Sequence, residues 1–181
     1  PNGTATRTTL PTTTRYDGST GKIVRFEIRP GDVGGGAGNR SELSGAFQPW
    51  VFKEGDEVWI QYPFRVPSNF AITGPGFFII TQLHTGIGSP SISVSFDDAR
   101  NLGIGGNVGS TPAPRHNFLT KAEFDAKRGT WIGLNLHIKF SVDPDKGGFE
   151  VHVDGVKKVP WVSRQTMNSD ENYFKYGVYR N

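Results

Sequence analysis

Cysteine is absent from this sequence, which excludes a disulfide framework, a thiolate metal site and a cysteine nucleophile. Whatever order the chain has must come from packing. No apolar run approaches the ~18 residues that a membrane-spanning helix requires, so no membrane partner is expected. Charge of one sign is also scarce. The 20 Lys and Arg against 17 Asp and Glu leave a net +3, too little for the footprint of a nucleic-acid binder, although it suits an acidic partner of another kind. Apolar residues at helical spacing are hard to find, and there is no internal repeat and no linker.

What is present is turn chemistry and alternation. With 24 Gly and 12 Pro in 181 residues, the composition is that of an all-β domain with many turns. A chain of this length suits one domain, residues 1–181, and buries roughly 70% of its unfolded surface. Residues 1–20 carry eight threonines and few aliphatic residues, so an extended arm or edge strand is expected there. The sequence opens on Pro1, and the expectation is a processed, monomeric protein, secreted or periplasmic.

Several segments alternate with the period of a half-buried strand. From Lys22 to Arg29, Val24, Phe26 and Ile28 oppose Arg25, Glu27 and Arg29, and Pro30-Gly-Asp32 ends the run. Ile132, Leu134, Leu136, Ile138 and Phe140 make a core face, leaving Trp131, Asn135, His137 and Lys139 on the other side. Those last residues are placed in the same groove as the sites below. Asp154-Gly155 signals a hairpin after Phe149, Val151 and Val153. The glycine-rich stretch from Asn101 to Pro114 reads as a long loop bordering a groove. Gly34 to Gly38 is a loop without the lysine-serine pair and helix of a phosphate cradle.

Three strands carry polar rows. In Tyr173-Phe-Lys-Tyr-Gly-Val-Tyr179, alternation puts Tyr173, Lys175, Gly177 and Tyr179 on one side and Phe174, Tyr176 and Val178 on the other. On Asn39 to Ser44, Arg40, Glu42 and Ser44 share a face. On Phe77 to His84, Phe78, Ile80, Gln82 and His84 lie opposite Phe77, Ile79, Thr81 and Leu83. Each row has a bland reading too, as the wet face of an antiparallel sheet or an ion pair worth under ~1 kcal/mol.

Taken together, RSEL at 40–43, QLH at 82–84 and YFKYGVY at 173–179 resemble the jelly-roll polysaccharide lyases. The alginate lyases of polysaccharide lyase family seven carry similar motifs, and glucuronan lyases and the heparin lyase I type are related in architecture. The resemblance spans the chain from about Lys22 and implies a β-jelly roll, a sandwich of two antiparallel sheets with a concave groove for an acidic glycan. It implies that Arg40 and Gln82 neutralise a uronate carboxylate with His84 beside them, that Lys175 helps bind the chain, that Tyr179 donates the proton, and that Glu42 orients Arg40; Tyr173, on the same polar face, is a further substrate-binding candidate.

Chemistry gives that set a reason. The C5 proton of a uronate is too weakly acidic until donors stand where enolate charge develops, and a base and an acid must each lie about 3 Å from their targets. In glucuronate or mannuronate, H5 and O4 share a side, so Tyr179 alone can serve as both. In guluronate or iduronate they are opposed, and His84 must be the base. Ser44 stands where alginate lyases usually have arginine, and the ending Tyr179-Arg180-Asn181 differs from theirs. A glucuronate-containing polysaccharide is therefore expected first and alginate second. The rival from another class is a non-catalytic binding module for acidic glycans. No cofactor is needed for the chemistry, but Asn168 and Asp170, followed by Glu171, offer oxygen ligands for a structural calcium.

Overall fold

The computed structural model describes residues 7–29, 38–46, 49–70, 72, 76–86 and 88–180, and for 7–9 the backbone only. The turn expected at Pro30 to Asp32 and most of the Gly34 to Gly38 loop lie outside these residues. In chain order the strands are β1 (Arg7–Thr9), β2 (Thr12–Thr14), β3 (Thr20–Lys22), β4 (Arg25–Glu27), β5 (Asn39–Ser44), β6 (Val51–Lys53), β7 (Glu57–Arg65), β8 (Phe78–His84) and β9 (Ile92–Phe96). They continue with β10 (Leu102–Gly105), β11 (Asn107–Val108), β12 (Thr111–Pro112), β13 (His116–Leu119), helix α1 (Lys121–Ala126), β14 (Trp131–Lys139), β15 (Gly148–Val153), β16 (Val156–Ser163) and β17 (Glu171–Arg180).

Two antiparallel sheets form a sandwich of the jelly-roll kind. One has the order β13-β10-β9-β8-β17-β5, with β6 also paired to β17, and the other the order β16-β15-β14-β7. Phe52 of β6 stacks on Phe140 at 4.9 Å, and His116 of β13 meets Phe149 of β15 at 5.8 Å. Tyr62 of β7 places its ring 5.9 Å from Phe174 of β17 and its hydroxyl on Thr81 of β8. That buried phenol is pushed well above its ordinary pKa by desolvation, so it serves the interior as a neutral hydrogen-bonding group.

Alternation explains β14, whose Ile132, Leu134, Leu136 and Ile138 are all fully buried. Asp154 and Gly155 close the β15–β16 hairpin with φ of 50° and 79°, as a type I′ turn requires. Elsewhere the pattern misleads. Lys22 to Arg29 is not one strand, because β3 pairs with β2 while β4 turns to β1. The stretch after Asn101 is no groove-side loop, because Leu102 and Ile104 of β10 are fully buried between β9 and β13. Its glycines make room for Arg115, whose side chain lies against Gly103 and Gly105 and hydrogen-bonds Ser95.

Helix α1 is short but well signalled. Thr120 caps it, accepting from the Glu123 amide at 3.2 Å, while the Glu123 carboxylate accepts from the Thr120 amide at 2.8 Å. This reciprocal capping box satisfies two otherwise unpaired amides.

Candidate active site

The three motif strands are neighbours in one sheet, with β17 in the middle. On one side the register sets Lys175 against Ser44, Gly177 against Glu42 and Tyr179 against Arg40. On the other it sets Tyr173 against His84 and Lys175 against Gln82. Phe174 is buried and Tyr176 and Val178 pack on the core, so Tyr173, Lys175 and Tyr179 take the opposite face.

On β8 the strict alternation fails. Phe78 and Leu83 are both core residues although an odd number of steps separates them, because pairing with β9 slips between Ile79 and Thr81. A bulge at Ile80 turns the strand over. Phe78 and Ile80 therefore do not share the face of Gln82 and His84, whereas Gln82 and His84 remain together.

Glu42 is the hub of the cluster. Its carboxylate is 4% exposed, accepts a hydrogen bond from Gln82 Nε2 at 2.6 Å and lies 3.3 Å from Lys175 Nζ, itself 12% exposed. Its partners are thus Gln82 and Lys175, and not Arg40 as the sequence suggested. The reason is reach: Lys175 stands across the ladder beside Glu42 and points along the same face. Arg40 instead lays its guanidinium over the Tyr179 ring, 4.2 Å from the centroid, with Phe77 against the same ring at 4.6 Å. Its buried Nε has no hydrogen-bond acceptor, and no carboxylate pairs with it among the described residues. Phe77, assigned to the far side by alternation, had no signal in the sequence because it precedes the strand and its bulge.

His84 lies at the other end of the row, with its ring 6.0 Å from that of Tyr173. Burial lowers its pKa below the ordinary 6.5, and the positive charges of Lys175 and Arg40 push the same way. The Gly86 amide donates to Nδ1 at 2.6 Å. With Nδ1 accepting, the neutral ring carries its proton on Nε2, and a hydrogen bond to the Gly88 backbone partly offsets the lowering of its pKa. Tyr173 is held above its usual pKa by burial and by Glu42, so it stays a phenol. The six steps from Tyr173 to Tyr179 span about 20 Å of extended strand. The side chains thus make a row that a glycan can lie along, with Tyr179 and Arg40 at one end and His84 and Tyr173 at the other.

Two sequence expectations do not join this row. His137 and Lys139 sit on β14, in the other sheet, where their neighbours are Trp59 and Glu57. Asn168 is spent on structure, its Oδ1 accepting from the Gly109 amide at 2.9 Å and its Nδ2 donating to the Asn107 carbonyl at 3.0 Å. Asp170 is exposed, and no metal-holding group of three or more His, Cys, Asp or Glu residues gathers among the described residues. The Asn168 amide, expected as a calcium ligand, is thus already engaged within the protein.

Arg40 and Lys175 against Glu42 leave one net positive charge in a partly buried row of phenols, an amide and an imidazole. That arrangement can hold one carboxylate and move one proton. No curated protein matches the chain. The sequence profile of the family described as polysaccharide lyase matches residues 2–181, almost the whole length, and the chain belongs to that family of lyases acting on polysaccharides.

Proposed function

We propose that the protein cleaves a 4-linked uronate polysaccharide by β-elimination, with a glucuronate-containing glycan as first substrate and alginate as second. The observation that carries this is the Arg40 guanidinium, buried at Nε, without a carboxylate partner among the described residues, and in contact with the Tyr179 ring. A substrate carboxylate supplies the missing acceptor, and the same contact sets the phenol beside C5. Neutralising that carboxylate lets charge build on it as the C5–H bond breaks. The Tyr179 oxygen, acting as the base beside the guanidinium, takes H5. The C4=C5 double bond then forms, the C4–O4 bond breaks, and O4 leaves with the proton returned by Tyr179. Atoms and charge balance without an external reagent.

Two features favour the version in which one phenol does both transfers. The Nδ1 lone pair of His84 is taken by the Gly86 amide, and the ring stands opposite Tyr173, not Tyr179. One sugar ring at Tyr179 then has its proton handled from one side only, which suits glucuronate and mannuronate. Gln82, Lys175, His84 and Tyr173 bind the neighbouring residues of the chain. Ser44 faces Lys175 across the ladder, so the cation that alginate lyases usually add there is missing, which supports glucuronate over alginate. The test is a panel of polyglucuronate, polymannuronate, polyguluronate and heparin-type chains, following the ultraviolet absorbance of the unsaturated product. Turnover highest on polyglucuronate is expected. Turnover confined to polyguluronate or iduronate-containing chains would sink the single-phenol mechanism.

A further inference from the structure

The outer face of the four-stranded sheet carries an aromatic row that the lyase site does not use. Trp59 of β7 is 57% exposed and Trp161 of β16 is 41% exposed. Between them stands His137 of β14, stacked on Trp59 at 4.3 Å with the rings 5° from parallel, and 5.3 Å from Trp161. The row runs across the strands, since Trp59 is the ladder partner of His137 and His137 that of Glu150. It is built rather than accidental. Gly148 leaves the space that the Trp161 indole fills, for a Cβ there would strike that ring, and His152 steadies Trp59 edge-on at 5.4 Å.

The charges around it are already answered. Glu57 is held by His137 at 2.9 Å and by Lys139 at 4.0 Å. Glu150 is held by Lys157 at 2.6 Å and His152 at 3.0 Å, bonds that keep its carboxyl down at about 2. Both lysines of the patch therefore lean on its own acids, in contrast to Arg40 on the other sheet. A patch of this kind has little to attract a carboxylate. What it presents is two exposed indoles, with electron-rich faces, bordered by hydrogen-bonding groups.

We propose that this row is a second glycan site, distinct from the cleavage site, that holds a neutral saccharide chain with equatorial hydroxyls, of the glucan or xylan kind. Such a sugar has a flat face of axial C–H groups that stacks on indole and a rim of hydroxyls that meets Glu57, Lys139 and Lys157. The charge balance selects neutral over acidic chains. The site lets a lyase acting on an acidic glycan stay attached to the neutral polysaccharide around it.

The full chain is run in native gels containing hydroxyethylcellulose, xylan, polyglucuronate or no polymer. Retardation by a neutral polymer is expected, and replacing Trp59 or Trp161 by Ala should weaken it about tenfold, the size of one lost stacking contact. Trp59→Tyr should restore part of the effect, and thermal melts of each variant show that it is folded. Arg40→Ala should be retarded like the wild type in hydroxyethylcellulose, which separates this site from the proposed cleavage site. No retardation in either neutral polymer overturns the proposal. So does retardation that survives loss of both indoles, or retardation in polyglucuronate alone. A concentration-dependent dimer in sedimentation that Trp59→Ala dissolves would also overturn it, by assigning the face to a second copy of the chain.

Discussion

Replacing Glu42 by Gln tests the electrostatics of the site most directly, because the two shapes are the same and only the charge is lost. Gln82 keeps an acceptor in the new amide. Lys175, 12% exposed, loses its counter-charge beside Arg40. Removing one member of a buried pair costs about 3–5 kcal/mol, and the residual solvent at Lys175 places the expected loss near the lower end, about 3 kcal/mol. Replacing Lys175 by Met in the same chain removes the stranded cation. The double variant should then recover most of the loss, giving a coupling energy of about 2 kcal/mol in a double-mutant cycle. Urea unfolding of the four proteins measures it, with turnover on polyglucuronate followed in parallel. Stability should return in the double variant while turnover does not, because Lys175 is absent from the row. Additivity within about 0.5 kcal/mol would show that the pair is not coupled. A larger coupling of Glu42 with Arg40 than with Lys175 would reinstate the partner suggested by the sequence and refute the charge arrangement described above.

Tyr179→Phe keeps the ring between Arg40 and Phe77 but removes the hydroxyl, and turnover on polyglucuronate should fall at least about a hundredfold with little change in melting temperature. His84→Asn should act mainly on KM, and an equal loss in kcat would make the imidazole the base. Gly177→Ala should destabilise by about 3 kcal/mol or more, since φ is +146° and the added carbon would lie 2.7 Å from Glu42 Cα; urea midpoints measure it. The lowered pKa of His84 means that the native state binds fewer protons than the unfolded chain just below pH 6.5. Stability should therefore rise with pH through that window, and His84→Asn should flatten the slope of unfolding free energy against pH there.

The sequence made the faces of β14 and β17 readable because their alternation is unbroken and their buried residues are large. It left two kinds of question open. Alternation says whether a residue points into the core or away from it, but a sandwich has two outer faces, and nothing in the spacing of His137 and Lys139 says which one they occupy. Strand pairing decides that, and it joins β14 to β7 and β15. The second kind concerns backbone irregularity. The Ile80 bulge has no composition of its own, and β10 hid behind glycines that elsewhere mark loops. Helix α1 was passed over because six residues are too few for a helical stripe, although Thr120 and Glu123 spelled its capping box.

These irregularities are also what shape the candidate site. Across one stretch of the sheet, β9 advances from Val94 to Ser95 while β8 advances from Thr81 to Ile79 and β17 from Tyr176 to Tyr179. Each strand takes one more residue than its neighbour, so the sheet fans and its local twist and bend increase there. The fan falls between Lys175 and Tyr179, that is, between the end of the row proposed to bind and the end proposed to react. Gly177 makes it possible, holding a φ of +146° in close contact with the β5 backbone at Ser41 and Glu42. The contour of about 20 Å along the strand is therefore an upper limit on the distance between the two ends. A bent row can grip a glycan at His84 and Lys175 and turn the next ring toward Tyr179, which a flat ladder of the same residues would leave lying parallel to the phenol's strand.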